Sequence, residues 1–225
     1  MWNYTNETIH PSSSKNFMAD DTVFIQDEIT SENCAYLIAD MMRYVMAPES
    51  SGKELKIVIN TPGGEVSVMN QICGIISMAK INNIAVITYV MGVAASAGSV
   101  IAIHGDQRIM AKNAEHLIHY GYCLEAISKQ TEIAKTFAYN MDFSKRMAQI
   151  YLDHCPGLTP EKLKILQEDE KGRLFADECL KLGICDTIIE TELDKKIEKE
   201  NWQIDVLTNA MAEEKKSSKK IKKKA

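Results

Sequence analysis

The chain has 225 residues, of which 45% are hydrophobic and 25% are charged, and its formal net charge is −5. These proportions are typical of globular proteins and exclude a fibrous or wholly disordered chain, while the length allows one compact domain with tails or two small domains. No apolar run approaches the roughly 18 residues of a membrane span, and residues 1–14 do not have the pattern of a secretory signal, so we expect a cytoplasmic protein without a membrane partner.

Apolar periodicity and turn residues divide the first half of the chain into alternating strands and helices. The predicted elements are a flexible arm over residues 1–20, a strand at 22–25, a helix at 30–46 capped by Thr30 or Ser31, a loop at 48–53, a strand at 55–60, a helix at 66–80 and a strand at 84–90 that ends at Met91 and Gly92.

The second half continues the alternation. The predicted elements are a buried helix rich in small residues at 96–104, short strands at 107–110 and 116–118, a long helix at 126–154, a helix that begins at Pro160 after an N-cap at Thr159, a helix at 176–182 closed by Gly183 and a strand at 184–189. Strands that alternate with helices favour βαβ units and a largely parallel sheet. We therefore predict an α/β fold with one core domain.

The domain boundaries follow from composition. We place a flexible arm at residues 1–20, the core domain at residues 21–190 and a charged extension at residues 191–225. Residues 215–225 hold seven lysines and no acidic residue, which is typical of a solvated, disordered tail. An electrostatic contact with nucleic acid or an acidic partner is the alternative, but the tail has no aromatic residue for base stacking, so specific nucleic-acid binding is not favoured.

The six cysteines form no Cys-x-x-Cys pair and, with the histidines, no zinc-ligand spacing. Most have apolar neighbours, so we expect buried free thiols rather than disulfides. The missing ligand spacing leads us to expect no metal site, and we also expect no cofactor. They are Cys34, Cys73, Cys123, Cys155, Cys179 and Cys185.

Two turns that contain glycine follow two predicted strands. In the first, Pro62 stiffens the turn, and Gly63 and Gly64 can adopt positive φ and expose their amides. The helix that follows adds the positive end of its dipole, so this turn suits an anion or a developing oxyanion. An ordinary strand-to-helix turn is the alternative, and no phosphate-loop pattern is present.

The second turn surrounds Ser96 with small residues, from Gly92 to Gly98. Small neighbours leave room for a substrate at the Ser96 hydroxyl, and the amides of the following helix stabilise nearby negative charge. The pattern suits a serine nucleophile, and a simple helix cap is the alternative. Among the five histidines, His119 follows a short strand, where a general base can project.

Four segments in succession resemble the proteolytic subunit of the Clp protease family. They are NTPGG at residues 60–64, GVAASAG at 92–98, LIH at 117–119 and ADECLKLGICD at 176–186. Family members carry Asn-Ser-Pro-Gly-Gly, Gly-x-Ala-Ala-Ser-x-Gly, Met-Ile-His and Ala-x-Glu-Ala-x-x-x-Gly-Leu-x-Asp in the same order. The similarity covers about residues 21–190.

The resemblance implies a serine peptidase with a Ser-His-Asp triad on a crotonase-like fold, which is built from repeated ββα units with a protruding handle helix, here residues 126–154. Ser96 would be the nucleophile, His119 the general base, and the amides of Gly64 and Ala97 the oxyanion hole. It also implies a homo-oligomer of two stacked seven-membered rings, fed with peptides or unfolded proteins by an AAA+ unfoldase ATPase. The chain has no nucleotide-binding motif, so ATP dependence would come from that partner.

The triad acid departs from the family pattern. Counting back from Ala176, the position of the family's aspartate holds Lys171. The acidic residues just before it are Glu168, Asp169 and Glu170. A shift of one residue brings Glu170 into place and a shift of two brings Asp169. We predict that Asp169 or Glu170, and not Glu168, orients His119.

Three other interpretations stay open at this point. One is an enoyl-CoA hydratase relative that holds a thioester enolate on glycine amides, although Ser96 with His119 argues against it. Another is a ring subunit that has lost activity, which Lys171 favours. The third is a phage peptidase of capsid maturation with the same fold, suggested by the divergence and by the lysine-rich tail.

Overall fold

The structure is a computed structural model that describes residues 15–119, 130–168, 172–192 and 194–195. The strands are β1 (Asn16–Ala19), β2 (Thr22–Ile25), β3 (Glu54–Thr61), β4 (Ala85–Ala95), β5 (Gln107–Ala111), β6 (Glu115–Leu117), β7 (Arg173–Phe175) and β8 (Thr187–Ile189). The α-helices are α1 (Ser31–Met46), α2 (Val66–Ile81), α3 (Ala97–Ile103), α4 (Gln130–His154), α5 (Pro160–Glu168) and α6 (Ala176–Lys181), and a short 3₁₀ helix covers Pro48–Ser50.

Within the described residues the strands form one sheet in the order β1-β2-β3-β4-β5-β8, and β6 pairs with β4 and with β7. The pairs β2–β3, β3–β4, β4–β5 and β4–β6 are parallel, whereas β1–β2 and β6–β7 are antiparallel. The predicted α/β fold with a largely parallel sheet is therefore confirmed. The carboxyl ends of β3, β4 and β6 lie side by side, which brings the turns that follow them together.

Residue periodicity decides which side chains enter the core. Helix α1 starts where the Thr30 hydroxyl accepts a hydrogen bond from the Asn33 amide (3.0 Å), as an N-cap does. Its buried residues recur every three or four positions, which puts them on one face: Cys34, Leu37, Met41 and Val45. Strand β3 instead buries every second residue. The helix and the strand predicted for these two segments are confirmed.

The helix behind Ser96 is buried on every side. All seven residues of α3 are buried, which its small and branched side chains allow. Helix α4 packs against it through Tyr151, which is 3% exposed. The long helix predicted at residues 126–154 is observed from Gln130 to His154, and residues 126–129 lie outside the described part of the chain.

Three predicted boundaries differ, two because distant strands pair and one because a local hydrogen bond ends an element. Strand β4 does not end at Met91 but runs to Ala95, since its last residues pair with β6 after an irregularity opposite Asn60. The predicted arm is shorter at its carboxyl end, because Asn16–Ala19 pair with β2. The last strand is shorter, because the Ile184 amide donates to the Cys179 carbonyl (2.8 Å) and closes α6.

The described cysteines are buried and unpaired, as predicted: Cys34, Cys73, Cys155, Cys179 and Cys185. Burial raises the pKa of the Cys73 thiol to about 12, so it stays protonated at neutral pH. Cys123 lies outside the described residues.

The chain divides into a first unit, residues 1–188, and a second unit, residues 189–225. In the described part of the second unit, the Thr191 hydroxyl donates to the Asp194 carboxylate (2.6 Å) and accepts the Asp194 amide (3.1 Å). The lysine-rich tail and residues 1–14 lie outside the described residues, so the expectations for them stay predictions. Of the helices that are described, none is both long and apolar enough to cross a membrane.

Candidate active site

The turn between β3 and α2 is held by backbone hydrogen bonds to Ile29. The Ile29 amide donates to the Gly63 carbonyl (2.8 Å), and the Ile29 carbonyl accepts the Glu65 amide (2.7 Å). The Gly64 amide between them donates to no acceptor among the described residues. Gly64 has φ +150°, and a Cβ built on it would lie 2.1 Å from the Ile29 oxygen, so only glycine fits. The turn therefore leaves the Gly64 amide without an acceptor among the described residues.

Ser96 occupies the turn between β4 and α3. Its backbone has φ 54° and ψ −121°, a conformation that residues other than glycine rarely adopt. The Ser96 amide donates to the Leu117 carbonyl (3.1 Å), which ties the turn to β6. Ala97 is the first residue of α3, and an amide at that position has no acceptor within its own helix. The Ser96 hydroxyl is thus next in sequence to an amide that its helix leaves without an acceptor.

His119 follows β6 by two residues and is exposed. Strand β6 pairs in parallel with the end of β4, with Leu117 opposite Ala95, so the chain leaves β6 beside the Ser96 turn. The Ile118 amide donates to the Gly172 carbonyl (2.8 Å). His119 therefore directly follows a residue that is bonded to Gly172, at the end of the strand that pairs beside the Ser96 turn.

The four described residues predicted for the site meet around one small cavity. Ser96, His119, Gly64 and Ala97 line a space of about 30 Å³. Within the described residues no hydrogen bond joins the Ser96 hydroxyl to His119. In sites of this kind such a bond often tightens only when substrate is bound.

The rest of the cavity wall was missed by the sequence analysis. Helix α4 contributes Phe143, Met147 and Tyr151, and α2 and α3 contribute Val66, Met69 and Val100. The three α4 residues recur every fourth position and so lie on one helix face. That spacing was visible in the sequence, but nothing in it indicated that the face meets Ser96.

The predicted triad acid cannot be compared with the structure. Asp169, Glu170 and Lys171 lie outside the described residues, as does the side chain of Glu168. The described chain resumes at Gly172, whose carbonyl accepts the Ile118 amide (2.8 Å). The residue that follows Lys171 therefore contacts the residue that precedes His119.

A second histidine lies close by but is not suited to the role of base. His116 is 1% exposed, and its Nε2 atom has no hydrogen-bond partner among the described residues. Burial lowers the pKa of His116 to about 3, so the imidazole stays neutral at physiological pH. Its ring meets the Tyr151 ring edge-on, with centroids 6.4 Å apart. His119, exposed and lining the cavity, has the access that a base needs.

The chemistry available at this cavity is acyl transfer. Ser96, His119, Gly64 and Ala97 line one small space, and a hydroxyl, an imidazole and backbone amides are the groups that the attack on a carbonyl and the stabilisation of the resulting oxyanion require. Within residues 15–119, 130–168, 172–192 and 194–195, no group of three or more His, Cys, Asp or Glu side chains is placed to hold a metal ion.

Comparison with known proteins points to one family. The Clp protease family model matches residues 6–192. An ATP-dependent Clp protease proteolytic subunit of Streptococcus uberis is 29% identical over 175 residues, which are 76% of this chain and 85% of the relative. One of Streptococcus gordonii is 30% identical over 172 residues, 75% of this chain and 85% of the relative.

Solved structures show the same fold. The structure of a ClpP1 mutant from Listeria monocytogenes aligns with a TM-score of 0.62 and 24% sequence identity, covering 76% of this chain and 92% of that chain.

Proposed function

Since the chain belongs to the Clp protease family, we propose that it is a serine endopeptidase in which Ser96 is the nucleophile and His119 the general base. The observation that carries the proposal is the shared cavity, which brings Ser96, His119, Gly64 and Ala97 together from three separate turns. Relatives named as proteolytic subunits support a Clp-like peptidase.

In the proposed reaction, His119 takes the proton of the Ser96 hydroxyl as its oxygen attacks the scissile carbonyl. The amides of Gly64 and Ala97 donate hydrogen bonds to the oxyanion that forms. His119 then gives its proton to the leaving amine, and water releases the acyl group by the same steps. Asp169 or Glu170 orients His119, which the contact between Ile118 and Gly172 supports. No cofactor takes part.

The first test is covalent labelling. A fluorophosphonate probe is expected to modify the wild-type chain at Ser96 and to leave the Ser96→Ala variant unmodified. Ser77→Ala is the matched control, because Ser77 is exposed on α2, bonds its own helix at the Cys73 carbonyl (2.9 Å) and does not line the cavity. Ser96→Ala should also cost on the order of 10⁴–10⁶ in the rate of peptide cleavage. Equal cleavage by wild type and Ser96→Ala would contradict the proposal.

We further propose that the active sites are enclosed in two stacked seven-membered rings in the cytoplasm, supplied with unfolded protein by an AAA+ unfoldase. Large apolar side chains exposed on α4 support an assembly surface: Phe137, Tyr139 and Met141 are 67%, 58% and 48% exposed. Native mass spectrometry tests it. Phe137→Ser combined with Tyr139→Ser should yield smaller assemblies than the wild type, whereas Lys145→Ser, at an exposed polar position of the same helix, should not. A wild-type monomer would contradict the enclosed chamber.

A subunit without activity is the second candidate, and Lys171 at the position of the family's aspartate favours it. The probe separates the two candidates: an assembled wild-type chain that is neither labelled nor able to cleave a short peptide would establish the inactive subunit.

A further inference from the structure

The strained backbone of Ser96 needs support from its surroundings. A residue other than glycine rarely adopts positive φ, as Ser96 does, and it keeps this strained conformation only where neighbouring groups hold it. The Ser96 carbonyl accepts three hydrogen bonds, from the Ser99 amide (3.0 Å), the Val100 amide (3.3 Å) and the Ser99 hydroxyl (2.6 Å). The two amides belong to the first turn of α3. The Ser99 hydroxyl adds a third hydrogen bond, from a side chain, which is not one of the backbone hydrogen bonds of the helix.

The Ser99 hydroxyl also bonds the Tyr151 hydroxyl. A serine hydroxyl has one hydrogen to donate, and Ser99 donates it to the Ser96 carbonyl, so Tyr151 must be the donor in the second bond. The result is a directed chain from Tyr151 through Ser99 to Ser96. Tyr151 is 3% exposed and Ser99 is fully buried, so water does not compete with either bond. Burial also raises the pKa of Tyr151, which keeps its hydroxyl protonated and able to donate.

Tyr151 also contacts the strand that leads to His119. Its ring meets the His116 ring edge-on, at a centroid distance of 6.4 Å and an interplanar angle of 85°. His116 neighbours Leu117, whose carbonyl accepts the Ser96 amide (3.1 Å). A single α4 side chain thus supports the Ser96 turn through Ser99 and packs on the strand that precedes His119, and it lines the cavity between them.

From these contacts we infer that Tyr151 is a positioning residue, which holds the Ser96 peptide in its reactive geometry through the hydroxyl of Ser99. The inference rests on the proposed function. In this role Tyr151 makes the reactivity of Ser96 depend on the position of α4, because a shift of this helix would loosen the hydrogen bond on the Ser96 carbonyl. Tyr151 touches no reacting atom in this role, so its removal should slow the acylation of Ser96 rather than weaken substrate binding.

The test compares Tyr151→Phe and Ser99→Ala with the wild type in the full-length assembled protein. Each variant removes one hydroxyl and little volume. We expect the rate of fluorophosphonate labelling and the kcat for a short peptide to fall about 10- to 100-fold, the loss typical of a misplaced catalytic group, with KM within about twofold of the wild-type value. The double variant should lose little more than the more impaired single variant, because both substitutions break one chain.

Tyr36→Phe is the matched control, since Tyr36 lies on α1, is exposed and does not line the cavity. It should label and cleave at the wild-type rate. Wild-type rates in Tyr151→Phe and Ser99→Ala, a rise in KM with unchanged kcat, or a lower melting temperature without slower labelling would each overturn the inference and leave the proposed function standing. A wild-type chain that fails to react at Ser96 would overturn both.

Discussion

Gly63 and Ser96 approach so closely that a Cβ built on Gly63 would lie 2.6 Å from the Ser96 Cβ. The two residues are 33 positions apart in sequence, in turns that follow the adjacent parallel strands β3 and β4. Because parallel neighbours end at the same edge of a sheet, their turns meet there. The contact between these turns joins Ser96, the proposed nucleophile, to the loop that carries the Gly64 amide, so the position of each turn constrains the other.

Gly63→Ala should disable the site. The new Cβ would clash with Ser96 and with the Ala95 carbonyl oxygen at 2.7 Å, and alanine rarely adopts the observed φ of +102°. We expect the free energy of unfolding to fall by about 1–3 kcal/mol. Probe labelling should slow by about 100-fold or more, since the Ser96 turn must move. Urea unfolding and labelling kinetics measure the two effects.

Gly74→Ala is the control for that substitution. Gly74 lies within α2, and a Cβ there would meet no atom within 4 Å. Alanine should stabilise the helix by roughly 0.5–1 kcal/mol and leave labelling unchanged. Equal behaviour of the two alanine variants would show that the close contact at Gly63 does not constrain the site.

His119→Ala should abolish cleavage, because the proposed base is lost. The protein should stay folded, because shortening an exposed side chain costs little stability. The expected decrease in kcat is on the order of 10⁴-fold or more. His154→Gln serves as control, because His154 bonds the Ile150 carbonyl through Nδ1 (2.8 Å) and does not line the cavity. Cleavage that depends on His154 or His116 instead would show that the base is misassigned.

The acid should be Asp169 or Glu170. A carboxylate beside His119 would stabilise the imidazolium formed during catalysis, whereas Lys171 at that place would repel it. One of the single variants Asp169→Asn and Glu170→Gln should lose roughly 10⁴ in kcat, and Glu168→Gln should remain active. Assembly is checked separately by native mass spectrometry. Full activity in both of the first two variants would indicate a Ser-His dyad or an acid from elsewhere.

Stability should depend on pH through His116. Its pKa is lowered to about 3 in the folded state, whereas the unfolded chain titrates near the usual value of 6.5. The unfolded state therefore binds a proton that the folded state does not, so the free energy of unfolding should decrease as the pH falls below about 6.5. The maximum slope for one group is about 1.4 kcal/mol per pH unit. Urea unfolding at several pH values between 7 and 4 measures it.

His116→Leu should flatten that dependence, because leucine has no proton to bind. Part of the slope should remain, since burial also lowers the pKa of His104. A His116→Leu variant with the full wild-type slope would contradict the assignment to His116.

Local signals in the sequence predicted most of the elements. The Thr30 cap of α1 and the Thr159 cap of α5, whose hydroxyl accepts the Lys162 amide at 3.2 Å, are contacts between residues a few positions apart. Residues within one turn of helix interact whatever the rest of the fold does, so composition and spacing are enough to identify them. The glycine turn and the small residues around Ser96 were recognisable for the same reason.

Other features depended on pairing between distant segments. Strand β4 continues past Gly92 because β6 pairs with its last residues. Residues Asn16–Ala19 form a strand because they pair with the free edge of β2. Such pairings join positions far apart in the chain, and no local pattern specifies them.

The cavity at Ser96 shows the same contrast between local and long-range features. Local patterns made Ser96, His119 and Gly64 candidates, and the resemblance of their motifs to the Clp protease family added Ala97 and a role for each residue. The hydrogen-bonded chain from Tyr151 to Ser96 could not be predicted from local patterns, since it joins α4 to α3 across 52 positions and depends on how the two helices pack. The sequence by itself determined the local motifs that make these residues candidates for the proposed chemistry. Only the tertiary structure decided which side chains surround and hold them, because packing between helices is set by the whole core.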